Sequence, residues 1–416
     1  MKSASTTQAM VRGIAAIAAG MACIASIACA DRSENGLAIG APVAMTSPAP
    51  AGSSTPSLVL TGNGAALLSW TERGADSSVA IRMASFHNGQ WDSARTISSA
   101  RAFFVNWADF PSMTALANGD IAAHWLERES SGKYAYGVRV VRSADGGATW
   151  SAPVTPHTDG LPAEHGFVAL WPSGADGLGL AWLDGRKSAM KDSAREMSLR
   201  SAVVAPDGTL REETVLDART CDCCQVASAK ASSGQVVVYR DRSPDEIRDI
   251  MVVRRAGSSW SEPKAVHADN WHIEGCPVNG PQVVARGDTV AVTWFTGAND
   301  TTRVLFAQSV DGGATFGAPV RIDDGNPLGR VALAFDREGH ALVAWMERKT
   351  PETADVRVRR IAGGVASPGQ TVTTTSSARQ SGFPRMVVTG DTLLIAWTVT
   401  SPAMQVRVAQ LPLSNK

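Results

Sequence analysis

The chain has 416 residues, of which 44% are hydrophobic and 19% charged, and its 39 basic residues balance 39 acidic ones. That is the balance of a globular protein, with length for one large or two ordinary domains. A net charge of zero with no basic block argues against a nucleic-acid or polybasic membrane partner.

The N-terminus reads as an export leader. Lys2 and Arg12 precede an apolar run from Gly13 to Ala28, and no acid comes before Asp31. The run is short for a bilayer span and has the flanks of a secretory signal. Two cleavage readings stand side by side. Ala28-Cys29-Ala30 is an A-x-A site, and Ser26-Ile27-Ala28-Cys29 resembles a lipobox with Cys29 as the lipidated residue. Either way the mature chain is expected in the periplasm or at the cell surface, where disulfides are permitted. The expected divisions are a signal peptide at 1–30, a linker with a closing strand at 31–55, and a propeller domain at 56–416.

From there on, one unit recurs. An apolar strand ends in an aromatic residue at Trp70, Trp125, Trp182, Tyr239, Trp294, Trp345 and Trp397. By subtraction these positions step by 55, 57, 57, 55, 51 and 52 residues. Each unit opens with a short strand after Pro or Gly, turns at a glycine, runs into the aromatic-tipped strand, and adds a third and a fourth strand. Short strands between regular turn signals predict an all-β chain, and four strands at this period predict a β-propeller. The count gives seven blades, with six as the alternative. The seventh unit runs out after its third strand, and Gly40-Ala41-Pro42-Val43 is similar to the fourth-strand segment Gly317-Ala318-Pro319-Val320. An N-terminal strand is therefore expected to complete the last blade, which would remove an open sheet edge. Glu72-Arg73, Glu127-Arg128 and Glu347-Arg348 follow their tryptophans and read as repeated salt bridges.

Two turns carry a sharper signature: Ser143-Ala144-Asp145-Gly146-Gly147-Ala148-Thr149-Trp150 and Ser309-Val310-Asp311-Gly312-Gly313-Ala314-Thr315-Phe316. Asp accepts backbone N–H bonds across such a turn, and glycine permits its positive φ. These segments resemble the Asp-box, or BNR repeat, and with them the chain resembles the sialidase-like β-propellers. That resemblance implies Asp-boxes on the face opposite the active site, an arginine clamp for a substrate carboxylate, a Tyr–Glu nucleophile pair and an Asp acid/base. The arginine motif that opens an inner strand in that family has its nearest counterparts in Phe110-Pro111-Ser112-Met113 and Phe383-Pro384-Arg385-Met386. The first has no arginine and the second has it displaced, while Tyr134, Tyr136 and Tyr239 are the chain's three tyrosines.

Strand direction selects the residues expected at one mouth. Arg240 and Arg242 close the second strand of unit four, Asn279 opens unit five, Arg330 and Arg385 open units six and seven, and Trp107 and Trp271 lie in loops leading there. With Asp222 they form the expected ligand-binding set for a glycan or small acidic ligand, since arginine suits bidentate carboxylate recognition. Asp241 and Asp109 are the carboxylates expected to act if the protein is a glycosidase, which needs two positioned acids or an acid and a tyrosine. Cys221, Cys223, Cys224 and Cys276 fall on adjacent units. In an exported protein they are expected to form disulfides, with three possible pairings. A bridge to Cys276 would staple two blades and add about 3–4 kcal/mol in the chain-entropy model. The alternative is a thiolate site for Cu or Zn, with His272 as a helper. The remaining expectations are a monomer, a membrane link only through Cys29, and, as a third reading, a plain interaction scaffold.

Overall fold

The structure is a computed structural model and describes residues 37–130, 132–190 and 196–413. The leader and Cys29 lie outside the described residues. Among them the strands form seven antiparallel sheets, and the helical pieces are the short turns Arg186–Ala189, Ala298–Asp300 and Arg379–Ser381. The protein is a seven-bladed β-propeller, not a six-bladed one.

Each blade begins at the axis. The first strands are Ser53–Leu60, Ser112–Ala115, His165–Ser173, Ala227–Ala231, Gln282–Arg286, Pro327–Phe335 and Arg385–Thr389. Residues from all seven line a single axial cavity of about 310 Å³, so the sheets stand in a ring. Seven buried apolar clusters fill the gaps, each shared by two neighbouring blades. One joins Val236 and Val238 of blade 4 to Val290, Val292 and Trp294 of blade 5. Another joins Leu394 and Val408 of blade 7 to Leu68 and Trp70 of blade 1. Sheet faces cannot be left apolar in water, and each wedge therefore needs both neighbours. The strand Val43–Met45 pairs antiparallel with Gln405–Pro412, with Val43 opposite Gln410.

The aromatic tips of the second strands are buried, Trp182, Tyr239, Trp294 and Trp345 completely. A buried indole N–H needs an acceptor; in several blades the acid two residues on supplies it, and for Trp294 it is Asp269. Trp70 Nε1 donates to Glu72 at 2.6 Å, Trp182 to Asp184 at 2.9 Å and Trp345 to Glu347 at 2.7 Å. Residues i and i+2 share one face of a strand, which explains the recurring Trp-x-Glu spacing. The repeated salt-bridge reading is corrected in this respect: the acids serve the indoles first.

The Asp-box turns close on themselves. Asp145 accepts from the backbone N–H groups of Ala148 and Thr149 at 3.0 and 2.9 Å and from the Thr149 hydroxyl at 2.6 Å. Asp311 does the same with Thr315. The Asp311 turn joins the third strand Arg303–Ser309 to the fourth, Val320–Arg321, and the Asp145 turn leads from the third strand Tyr136–Ser143 to a single bridge at Val154. They lie at the ends of the blades remote from Cys221, whose backbone N–H donates to Arg240 at the tip of a second strand.

Candidate functional site

The long strand Leu210–Thr220 ends blade 3, and the chain enters blade 4 through Cys221-Asp222-Cys223-Cys224-Gln225. Among the described residues no disulfide is found: Cys221, Cys223, Cys224 and Cys276 are free thiols, against the expected bridging. Cys221 Sγ stands 3.9 Å from Cys223 Sγ and 3.6 Å from Cys224 Sγ. The three sulfurs lie within 4.8 Å of one another. A disulfide requires sulfurs about 2.05 Å apart. Sulfurs bonded at about 2.3 Å to one tetrahedral centre sit about 3.8 Å apart, the spacing seen here. Cys276, from the loop between blades 4 and 5, is within hydrogen-bonding reach of Cys223.

The sulfurs are held in different environments. Cys221 and Cys224 are buried, Cys223 is half-buried and Cys276 is exposed. Arg248 Nη1 donates to Cys221 Sγ at 3.2 Å. Hydrogen bonding with Cys223 and Cys224, with the Arg240 charge nearby, holds the Cys221 thiol well below its ordinary value. Burial and the Cys221 charge push Cys224 up to about 12. The surroundings therefore shift Cys221 toward its charged form and Cys223 and Cys224 away from it. His272 is exposed, and its ring is not among the groups gathered with the sulfurs.

The frame around the cluster is built from long-range hydrogen bonds. Gln225 donates to Ala108 O and accepts from Gly280 N–H at 2.9 Å. A Cβ on Gly280 would meet Gln225 O at 2.2 Å, so glycine is required for this approach. Arg240 is buried, with its guanidinium bound to the carbonyls of Arg248 (2.6 Å), Phe295 (2.6 Å) and Asn279 (2.8 Å). It also lies 4.9 Å over the Trp271 ring. Asn279 accepts from Arg330 N–H at 2.7 Å. Arg330 donates to Ser381 Oγ at 2.8 Å and to Ala378 O at 3.0 Å, and lies 5.1 Å over Trp107. Val278, beside Cys276, has φ of 50°, a left-handed conformation that a β-branched residue rarely adopts. Such strain persists only where the surroundings fix it.

The remaining expected residues divide between three places. At the sulfur rim, Arg242 pairs with Glu246 at 2.9 Å and with Asp222 at 3.5 Å, and Arg248 pairs with Glu246 at 2.8 Å. Burial and the Cys221 charge raise Asp222. Asp241 is raised to about 6, chiefly by burial. At the axis, Arg385 lines the cavity and lies 4.7 Å over Phe110. Burial lowers its guanidinium to about 10. Among the described residues no carboxylate pairs with it. Asp109 also borders the cavity, accepts from Phe167 N–H at 2.8 Å and is raised well above the ordinary carboxylate value by burial. Its charged neighbour is Glu164, whereas those of Asp241 are Asp217, Arg219 and Asp249, so the two acids occupy separate surroundings.

Sequence reasoning missed three groups. Arg248 sits in the dense charged run after Arg240, which pointed to the region but not to its contact with sulfur. Tyr136 donates to Glu164 at 2.6 Å, across the junction of blades 2 and 3. Burial raises Glu164 to about 7. Tyr136 is buried and its hydroxyl is pushed far above its ordinary value, which is the opposite of what activates a phenol as a nucleophile.

No family model matches the chain, and no curated protein matches it. Solved structures do. A protein of unknown function from Dyadobacter fermentans superposes with a TM-score of 0.50 at 16% identity, over 91% of this chain and 99% of that one. The Penicillium chrysogenum alpha-L-arabinanase gives 0.49 at 11% identity, covering 91% and 98%. The NanB sialidase of Streptococcus pneumoniae gives 0.47 at 10% identity, covering 90% and 70%. At 16% identity the likeness to the Dyadobacter fermentans protein is one of fold.

Proposed function

We propose that this exported propeller binds one soft metal ion, Cu(I) or Zn(II), in a thiolate site at the mouth of blades 4 and 5. The observation that carries the reading is the sulfur spacing of 3.6 and 3.9 Å around Cys221. Thiolate donors select these ions over hard cations. Arg248 Nη1, 3.2 Å from Cys221 Sγ, offsets part of the negative charge that bound thiolates would bring. The test is reconstitution under reducing conditions with Cu(I) or Zn(II), followed by metal analysis. One ion per chain is expected, lost in Cys221→Ser and Cys224→Ser. Natively purified protein with all four sulfurs blocked, or no stoichiometric ion, would overturn the reading.

A second reading is favoured by Arg385. A guanidinium without a carboxylate partner, facing a cavity of about 310 Å³ with Asp109 and Gln225 on its wall, suits one acidic group of a glycan or other small ligand. Calorimetry with sialic and uronic acids is expected to show binding that Arg385→Ala removes. Turnover of fluorogenic glycosides that depends on Asp109 or Asp241 would extend this to a glycosidase.

A further inference from the structure

The four sulfurs form a graded series from the interior to solvent. Cys221 and Cys224 are at most 1% exposed, Cys223 is intermediate, and Cys276 is exposed. Cys276 also differs in connection. The other three follow one another in a single segment, whereas Cys276 arrives on the next interblade loop, outside the group of three sulfurs, with Cys223 as its nearest interacting sulfur. That loop is pinned just beyond it, where Gly280 N–H donates to Gln225 and Asn279 accepts from Arg330. The pinned backbone holds Val278 in its strained conformation. The sulfur is thus reachable from water, on a loop pinned next to the segment that carries the other three.

A buried ion exchanges ligands through whichever side an incoming sulfur can reach. The inner side is closed by Arg240 and Arg248, which are buried and hydrogen-bonded within the protein. The side of Cys223 and Cys276 is open. We infer that Cys276 is the transfer ligand of this site, passing a soft metal ion to or from a thiol-bearing carrier by sulfur-for-sulfur exchange. The inference rests on the thiolate-site reading above. In the outward step the carrier thiol forms a sulfur–metal bond as the Cys276–metal bond breaks. The proton released by the carrier thiol passes to the Cys276 sulfur, and no electrons are exchanged. The reverse step loads the site. The carrier is either a small thiol or a protein cysteine pair, since the chemistry at the ion is the same.

The experiment loads the full mature chain with Cu(I), or Zn(II), and follows transfer to glutathione and, separately, to a Cys-x-x-Cys peptide by stopped-flow with a colorimetric metal indicator. Cys276→Ser is expected to keep one ion per chain while its transfer rate falls at least about ten-fold, a change of the size that ligand-supporting substitutions cause at metal sites. Faster transfer to the dithiol peptide than to glutathione at equal thiol concentration would identify a protein carrier, and the reverse a small thiol. Unchanged transfer in Cys276→Ser overturns the inference. So does complete loss of metal in that variant, which would make Cys276 an ordinary structural ligand. Cys223→Ser and Cys224→Ser separate the two levels. If both still hold one ion, the thiolate-site reading itself fails, whatever Cys276 does.

Discussion

The two faces of the ring are opposite ends of the same strands, yet the Asp-box acids of one and the groups framing the thiols of the other are satisfied over different distances. At the turn face, Asp145 and Asp311 take their hydrogen bonds from residues up to four positions away. At the sulfur face, Arg240 reaches carbonyls 39 and 55 residues away, and Gln225 links residues 117 and 55 positions distant. The carboxylates of these turns are satisfied within their own turn, and only outer carbonyls reach the next blade, Gly146 O accepting from Arg95 and Ala314 O from Lys264. Groups satisfied across blades occur once, and they fix the geometry of whatever stands among them. The thiol cluster stands among bonds of the second kind.

Substitutions that break the long-range bonding are predicted to have the largest effects. In Arg240→Ala the carbonyls of Asn279, Phe295 and Arg248 lose their donor. At about 1–3 kcal/mol for each buried group left unmet, partly relieved by water, the expected loss is about 3–5 kcal/mol in urea unfolding. A loss near that of an ordinary surface change would erase the contrast between the faces. Gly280→Ala comes next, since its methyl must displace the Gln225 backbone. Overpacking of this kind costs about 1–3 kcal/mol, and thiol labelling should show Cys223 and Cys276 reacting at altered rates.

Glu164 sharpens the comparison through pH. Burial raises its folded value to about 7, above the roughly 4.3 of an unfolded chain. The stability that depends on its neutral form is whole below the unfolded value and is lost as pH rises through the folded one. Glu164→Gln keeps a neutral partner for Tyr136, so its melting temperature should gain on the wild type between pH 4 and 8. The expected gain is about 1–2 kcal/mol at the upper end. A difference that stays flat with pH would count against the burial argument. The smallest effect is expected for Asp145→Asn. The Thr149 hydroxyl and backbone hold that carboxylate well below its usual value. Its contribution is therefore present above the unfolded value and lost as pH falls through the folded one. The variant should trail the wild type slightly at neutral pH, converge with it in acid, and bind metal unchanged. A change in metal stoichiometry would show that the faces are not independent.

The ring was legible because each second strand must bury one large aromatic tip at the same point, and the interval from Trp70 to Trp397 repeats that demand. The Asp-boxes were legible because their hydrogen bonds fall within eight residues. The thiol cluster was legible as composition but not as chemistry, because sulfur separations are set by the packing of blades 3 to 5. Arg240 and Arg330 could be placed at the mouth from strand direction. Their carbonyl partners could not, since these come from other blades. Tyr136 and Glu164 met for the same reason, and their spacing of 28 residues carries no local pattern. The Trp-x-Glu repeat shows the converse case: its spacing was visible, but the indole was overlooked as the partner.

The pairing of Val43–Met45 with Gln405–Pro412 has a consequence for how the molecule comes into being. A ribosome delivers the early strand first and its mate last, and contacts such as Ser47 to Val406 span 359 positions. Until the final segment emerges, blade 7 lacks three of its strands and the clusters on either side of it stay open to water. Long-range pairing of this kind is slow to form. The nascent wheel therefore waits for its last spoke before it can lock. Deleting residues 43 to 45 should leave a protein that gels or clumps during synthesis more than it loses affinity for any ligand.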